Sequence, residues 1–276
     1  KLVTWEKNGN LNTGIEASMF GGRLTSTIEY YSRRTRDMLL NNPLAISSGF
    51  SGYDDNVGSM VNRGLETSFR GVIFDRSNFH WDASLMLSMN RNKVTELTSS
   101  QDVINYGSVV IEKGKPIYTF YMSKSAGVSP STGRQLYYAY YRYAVDKTGS
   151  IVTEKCDEYV TDNVGLASLS KYYYGSRQAL FSGSFSSNFT FFKNFDFSFL
   201  TTFSVGGKIY DSLYGGAMNV TYAGNNWHKN VLRRWQQPGD ITDVPLVEIG
   251  GSRSSTGEEL IDASYFAIKN ITLGYT

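Results

Sequence analysis

Residues 181–205 read FSGSFSSNFTFFKNFDFSFLTTFSV. Phe181, Phe185, Phe189 and Phe191 alternate there with Ser182, Ser184, Ser186, Asn188 and Thr190. Beyond Lys193-Asn194, Phe195, Phe197, Phe199, Phe203 and Val205 alternate with Asp196, Ser198, Thr202 and Ser204. Successive side chains of a strand point to opposite faces, so each run carries one apolar and one hydrated face, and the break between them predicts a β-hairpin. Two architectures use such a hairpin. A soluble sandwich buries the apolar face under a second sheet, whereas a transmembrane barrel turns it to lipid and its small polar residues to a wet lumen.

The connections along the rest of the chain decide between the two. Leu11, Thr13, Ile15, Ala17 and Met19 form the apolar series of a first strand, Gly21-Gly22 turns it, and Leu24, Ser26, Ile28 and Tyr30 continue on a second. A loop over about 41–58 follows. A third strand runs from about Met60 to Ile73, with Leu65, Thr67, Phe69 and Ile73 on one face, and turns at Asp75-Arg76-Ser77-Asn78. The fourth carries Trp81, Ala83, Leu85, Leu87 and Met89 outward. Alternation then lapses over about 99–175, where 136–145 and 151–160 predict a hairpin standing on the loop. The Phe hairpin supplies strands five and six. A third loop, about 214–262, leads to a last strand over 264–276 whose phase slips near Lys269-Asn270, the mark of a bulge. Connections are thus short after strands one, three and five and long after two, four and six. Antiparallel pairing puts every short turn at one end and every long loop at the other, as in outer-membrane barrels; a sandwich has no reason to obey this rule. Seven strands are too few to close, so the chain is expected to be part of a larger barrel wall.

Composition agrees with an all-β chain: 20 Tyr and 16 Phe with 27 Gly and 5 Pro among 276 residues. A net charge of +2 with scattered Lys and Arg gives no footprint for nucleic acid. The single Cys156 forms no internal disulfide. No apolar run approaches the ~20 residues of a membrane helix, and this is compatible with a membrane barrel, whose strands are only half apolar. The chain opens without a basic-then-apolar leader, so a signal peptide is expected to be removed or to lie outside it.

Several segments carry a resemblance. Thr4-Trp5-Glu6-Lys7, Asn56-Val57-Gly58-Ser59-Met60 followed by Asn62-Arg63-Gly64-Leu65-Glu66, and Phe79-His80-Trp81 followed by Asn90-Arg91-Asn92-Lys93-Val94 open the series. Glu112-Lys113-Gly114-Lys115-Pro116, Ala126-Gly127-Val128-Ser129-Pro130, Gly206-Gly207-Lys208-Ile209-Tyr210 and Thr242-Asp243-Val244-Pro245 continue it. Asp262-Ala263-Ser264-Tyr265 and Asn270-Ile271-Thr272-Leu273-Gly274-Tyr275-Thr276 close it. In order and spacing they resemble the late barrel strands of SusC/RagA-type TonB-dependent outer-membrane transporters. The resemblance implies an antiparallel transmembrane β-barrel of about 22 strands, of which this chain supplies about seven, with a plug and earlier and last strands elsewhere. It further implies residence in the outer membrane, contact with its lipid, energisation by the TonB complex through the N-terminal part, and a SusD-like surface lipoprotein as lid. The implied cargo is an oligosaccharide, or alternatively a peptide.

Nothing in the sequence points to catalysis, a cofactor or a metal. His80 and His228 lack metal-ligand spacing, and the carboxylate pairs Asp54-Asp55 and Glu258-Glu259 fall in expected loops where solvation explains them. Aromatic clusters are the better candidates for cargo capture, because a ring face stacks on a sugar while its polar edge hydrogen-bonds. Tyr138 and Tyr140, Tyr173, and Trp227 with Trp235 are the residues singled out for substrate binding. Packing in loops and an interfacial girdle is the competing account of the same rings. Glu16, Glu29, Glu66, Arg70 and Asp196 fall on the hydrated face and are expected to line the lumen. The alternative class is a secreted carbohydrate-binding or adhesive β-sandwich, in which the Phe faces pack on each other.

Overall fold

The structure, a computed structural model, describes residues 3–44, 46–56, 58–97 and 103–276; Val57 of the quoted motif and the first residues of the second long loop lie outside the described residues. Seven strands form one antiparallel meander in chain order: β1 Lys7–Met19, β2 Leu24–Arg36, β3 Gly58–Arg76, β4 Phe79–Leu97, β5 Phe181–Phe191, β6 Phe195–Val205 and β7 Tyr265–Tyr275. Each strand pairs only with its sequence neighbours, and β1 and β7 are the edges. The turns after β1, β3 and β5 are short, with Phe20, Gly21 and Gly22 at φ of 56°, 66° and 86° in the first and Phe192 and Lys193 at 51° and 68° in the last.

Directly paired residues share a face, and the register separates the two faces cleanly. Trp81 lies opposite Phe189, which lies opposite Phe197; Leu85 lies opposite Phe185 and Phe69. The rings form a carpet. Phe74 stacks on Trp81 at 5.9 Å, Trp81 on Phe189 at 5.5 Å, and Phe195 meets Tyr275 at 4.8 Å. No Phe of 181–205 is among the fully buried residues, and Phe191 and Phe195 are 36% and 45% exposed. A covering sheet would have buried them, so the sandwich reading fails here. Two polar residues among the rings of β5 and β6 are satisfied locally: Trp81 Nε1 donates to Ser187 Oγ at 2.8 Å and Thr201 Oγ1 to the Phe185 carbonyl at 3.1 Å.

Two bulges preserve the division. At Lys269 the ladder skips one residue, so Phe266 and Ile268 stay on the same face as Ile271 and Leu273. A second bulge corrects the expected pattern of β3. Ile73 is the extra residue there, and Phe74 takes the outward place opposite Trp81. Arg23 from the first turn donates to the Val72 and Ile73 carbonyls at 3.4 and 3.2 Å, filling acceptors that the bulge leaves off the ladder.

The strands β3 and β4 are 19 residues each, about twice the ~9–11 that cross hydrocarbon; β2 follows β3 up to Met60, whereas β4 runs on beyond its last pairing with β5 at Ser88. There the motif at 90–94 joins wall to loops. Asn90 accepts from the Tyr31 hydroxyl, Arg91 donates to the Ala179 and Leu180 carbonyls, and Asn92 bridges Asn62 to the Ile117 amide. Val94 packs with Ile104 and Ile111 in a fully buried cluster. The dry core of this chain is therefore in its loops and not behind its Phe strands.

The 98–180 connection is richer than its lapse of alternation suggested. Besides the hairpin Gln135–Val145 and Ile151–Thr161, it holds strands Val103–Tyr106, Val109–Glu112, Thr119–Val128 and Lys171–Gly175 and a short helix Val164–Leu169. Buried segments such as Val109-Val110-Ile111 show no period of two, because both of their faces are covered. The third connection contributes the pair Lys208–Tyr210 and Leu260–Asp262. Both connections lock together: Ser123 bridges Thr256, Ser123 Oγ lies 2.7 Å from Ser254 Oγ, and the Gly239 amide donates to the Pro130 carbonyl at 2.9 Å.

Candidate functional site

On the polar face of the wall, Thr27, Glu29, Glu66, Ser68, Met86 and Ser184 line an open groove of about 590 Å³. Small side chains in neighbouring rows leave this depression. Glu29 lies directly opposite Glu66, a like-charge pairing that disfavours an isolated sheet and suits a cationic neighbour in the lumen. Arg70 sits between Thr25 and Ser84, Glu16 opposite Thr27, and Asp196 accepts from Thr190 Oγ1 at 2.8 Å. All five predicted lumen residues thus fall on the polar face.

Three of the predicted aromatics come together in the second loop. Tyr138 lies under Lys124 Nζ at 4.2 Å, and the same ammonium reaches Tyr172 at 5.1 Å. Tyr172 meets Tyr140 edge-on at 5.5 Å; the Tyr140 hydroxyl donates to the Lys171 carbonyl at 2.7 Å and lies 3.5 Å from that of Tyr121. Tyr121 in turn packs on Tyr173 at 4.7 Å. Tyr172, the chain neighbour of Tyr173, and Tyr121 are the members not singled out from the sequence; Tyr121 has no adjacent Tyr in the chain and joins because its strand pairs with Lys171–Gly175.

Charge is woven through the cluster. Tyr172 donates to Glu158 at 2.7 Å and Tyr173 to Glu112 at 2.5 Å, while Lys115 sits 3.7 Å over the Tyr173 ring. Burial first, and then these hydrogen bonds, raise Tyr172 and Tyr173 well above the ordinary tyrosine range; Tyr140 is raised by burial and by Tyr121. Glu158 is lowered, first by the Tyr172 hydroxyl and then by Lys124. Tyr140, Tyr172 and Tyr173 are thus held in the neutral form and Glu158 in the ionised one. Its accessible part is ring surface, with Tyr173 48% exposed.

The two tryptophans are placed apart. Trp235 covers Gly133, so closely that a Cβ there would lie 2.4 Å from the ring, and its Nε1 donates to the Pro130 carbonyl at 3.0 Å. It is a fastening between loops. Trp227 is 38% exposed, and among the described residues it makes no ring contact with the tyrosine cluster. Glu259, expected to be a solvated loop residue, is 6% exposed and bound by Arg253 at 2.8 Å and by the Tyr210 hydroxyl at 2.7 Å. Its role is internal to the third loop. His80 lies between Asp75 and Asp82 at 3.2 and 3.6 Å, and His228 accepts from the Asn230 amide.

An open antiparallel wall with one apolar carpet, one polar face and all long loops at one end defines part of an outer-membrane β-barrel. The chain belongs to the TonB dependent receptor-like, beta-barrel family, whose model matches residues 3–153. The family is one of receptors and not of enzymes. The chain is similar to a TonB-dependent receptor of Formosa agariphila, 28% identical over 99% of this chain and 29% of that protein. It is also similar to the TonB-dependent receptor SusC of Bacteroides thetaiotaomicron, 27% identical over 99% of this chain and 26% of that one. Among solved structures, the RagAB peptide transporter superposes with a TM-score of 0.78 at 28% identity, over 98% of this chain and 29% of its own. The chain therefore spans less than a third of the length of the relatives it matches, 29% and 26% of these two.

Proposed function

We propose that this chain is a stretch of the wall, with its outer loops, of an importer that takes up a nutrient through the outer membrane by TonB-driven remodelling of a plug. A SusD-like lipoprotein closes over the loop side. The observation that carries the reading is the sorting of the molecule: apolar rings on one wall face, small polar groups on the other, and every long connection folded into one cap at one end. In this reading the edges β1 and β7 pair with further strands of the same protein, since unpaired backbone in lipid costs several kcal/mol per group. The loops at about 41–58, 99–175 and 214–262 stand outside the cell, and transport makes and breaks no covalent bond.

An oligosaccharide is the first candidate cargo, held on the exposed rings of Tyr173 and Trp227 and on the half-buried rings of Tyr138 and Tyr140. A peptide is the second. What favours it is the likeness to a peptide transporter, together with hydroxyls of Tyr140 and Tyr173 already engaged within the protein. The test is uptake by a strain lacking the whole gene, over a panel of glycans and peptides, with the gene restored as control. Loss confined to one cargo class supports the reading and names the class. Unchanged uptake of every compound in both strains sinks it.

A further inference from the structure

The second and third loops meet along a cleft of about 190 Å³ that none of the five singled-out aromatics lines. Val164 from the second loop and Val220, Pro245 and Leu246 from the third give it an aliphatic wall. On its exposed side Arg134 reaches Asp162 at 3.3 Å and Glu248 at 3.9 Å, all three side chains being about half exposed, at 55%, 46% and 52%. On its inner side Arg253 is held by the buried Glu259 at 2.8 Å. That inner pair is neutral. The outer side is not, because one guanidinium serves two carboxylates, and a negative charge is left beside an apolar surface.

Two features narrow what fits. The cleft is small, about 190 Å³, and opens on the side of the half-exposed Arg134, so it takes the end of a ligand whose remainder lies outside it. Its one aromatic lining residue, Tyr137, is 1% exposed, so no ring face is open for a sugar to stack on. Nor is a metal ion suited: among the described residues no three His, Cys, Asp or Glu side chains converge on a point that could hold one. We infer that this cleft binds the ammonium-bearing end of a peptide. The α-ammonium lies beside Arg134, on the oxygens of Asp162 and Glu248 that the guanidinium does not engage, and the first side chain lies against Val164, Val220 and Leu246. The inference rests on the import reading and narrows its cargo. It places the recognition point where two loops must be docked for the site to exist, and charge-assisted hydrogen bonds to the carboxylates supply the selectivity.

The test uses the full-length protein in detergent with three probes: the peptide Leu-Ala-Ala-Ala-Ala with free termini, its N-acetylated twin, and maltopentaose, each measured by calorimetry. The double variant Asp162→Asn with Glu248→Gln changes only exposed side chains, and its thermal unfolding is followed as a control for loop docking. The free peptide is expected to bind at least tenfold more tightly than the acetylated one, and the double variant to lose that difference. Equal binding of the two peptides, no binding of either, or displacement of the free peptide by maltopentaose overturns the inference. The same double variant is also tested for uptake in cells. Wild-type uptake of free peptide by the variant overturns the cleft while leaving import intact. Failure of the wild-type protein to import any glycan or peptide overturns the import reading itself.

Discussion

At the scale of single residues, Gly64 is held under close constraint. The Tyr31 ring lies across it, so that a Cβ would sit 2.3 Å from the ring, and the Tyr31 hydroxyl reaches Asn90 at 3.0 Å on the next strand. Gly64→Val is expected to push the ring off, break that bond and cost about 1–3 kcal/mol. The check is the midpoint of heat-modifiable electrophoretic mobility, and an unchanged midpoint would mean that the ring is not pinned. The tryptophans separate in the same way. Trp235→Ala removes the cover of Gly133 and the bond to Pro130, so the cap around 129–134 and 233–246 should become protease-sensitive. Trp227→Ala should leave the digestion pattern unchanged and lower cargo capture; capture at the wild-type level would remove Trp227 from the binding surface. Both tryptophans were legible in the sequence as candidates. Which of them is committed to packing was not, because Gly133 and Pro130 lie about a hundred residues away in the chain.

At the scale of elements, β7 shows how one residue controls a face. A strand has a side-chain period of two, so a one-residue change inverts everything beyond it. Deleting Lys269 alone leaves Ile268 next to Asn270 in a regular ladder with both apolar residues still facing outward, whereas deleting Asn270 as well would turn Phe266 and Ile268 to the polar face or force β7 out of register with β6. Insertion into lipid vesicles should succeed for the deletion of Lys269 and fail for the deletion of Lys269 with Asn270; insertion of both at the wild-type rate would show that the facing of Phe266 and Ile268 is dispensable. The slip was readable in the sequence because alternation reports on itself. The bulge at Ile73 was not, since Val72, Ile73 and Phe74 are all apolar and either phase satisfies the pattern. The tyrosine cluster is also a property of paired elements. Tyr140, Tyr172 and Tyr173 have folded-state pKa values above the unfolded value, so the folded state holds their protons longer. Stability from these groups is then constant below about pH 10 and falls as pH rises past it. A spectrophotometric titration should show a late tyrosinate fraction that merges with the early one once the loops are unfolded, and a single early wave would contradict the cluster.

At the scale of the whole molecule, wall and cap are stabilised by different means. The wall has complete internal hydrogen-bond ladders and an uncovered apolar face, which is stable only against lipid. The cap has a dry core of its own around Val94, Ile104 and Ile111 and is tied across loops through Ser123, Ser254 and Thr256. Hydrogen exchange should therefore find 119–137 and 252–256 opening together as one unit, at lower free energy than β4 and β5. Independent opening of the two segments would show that the loops are not fused.

The sequence by itself determined the wall: its seven strands, their order, the Phe face and the end at which the loops gather. Local alternation and turn chemistry encode all of these within a few residues. Only the tertiary structure decided the loops. It placed four more strands between 103 and 175, brought Tyr121 to Tyr173, set Trp235 on Gly133, buried Glu259 and opened a cleft between Asp162 and Glu248. Each of these depends on contacts between distant segments covered on both faces, where no period survives for a one-dimensional reading to detect.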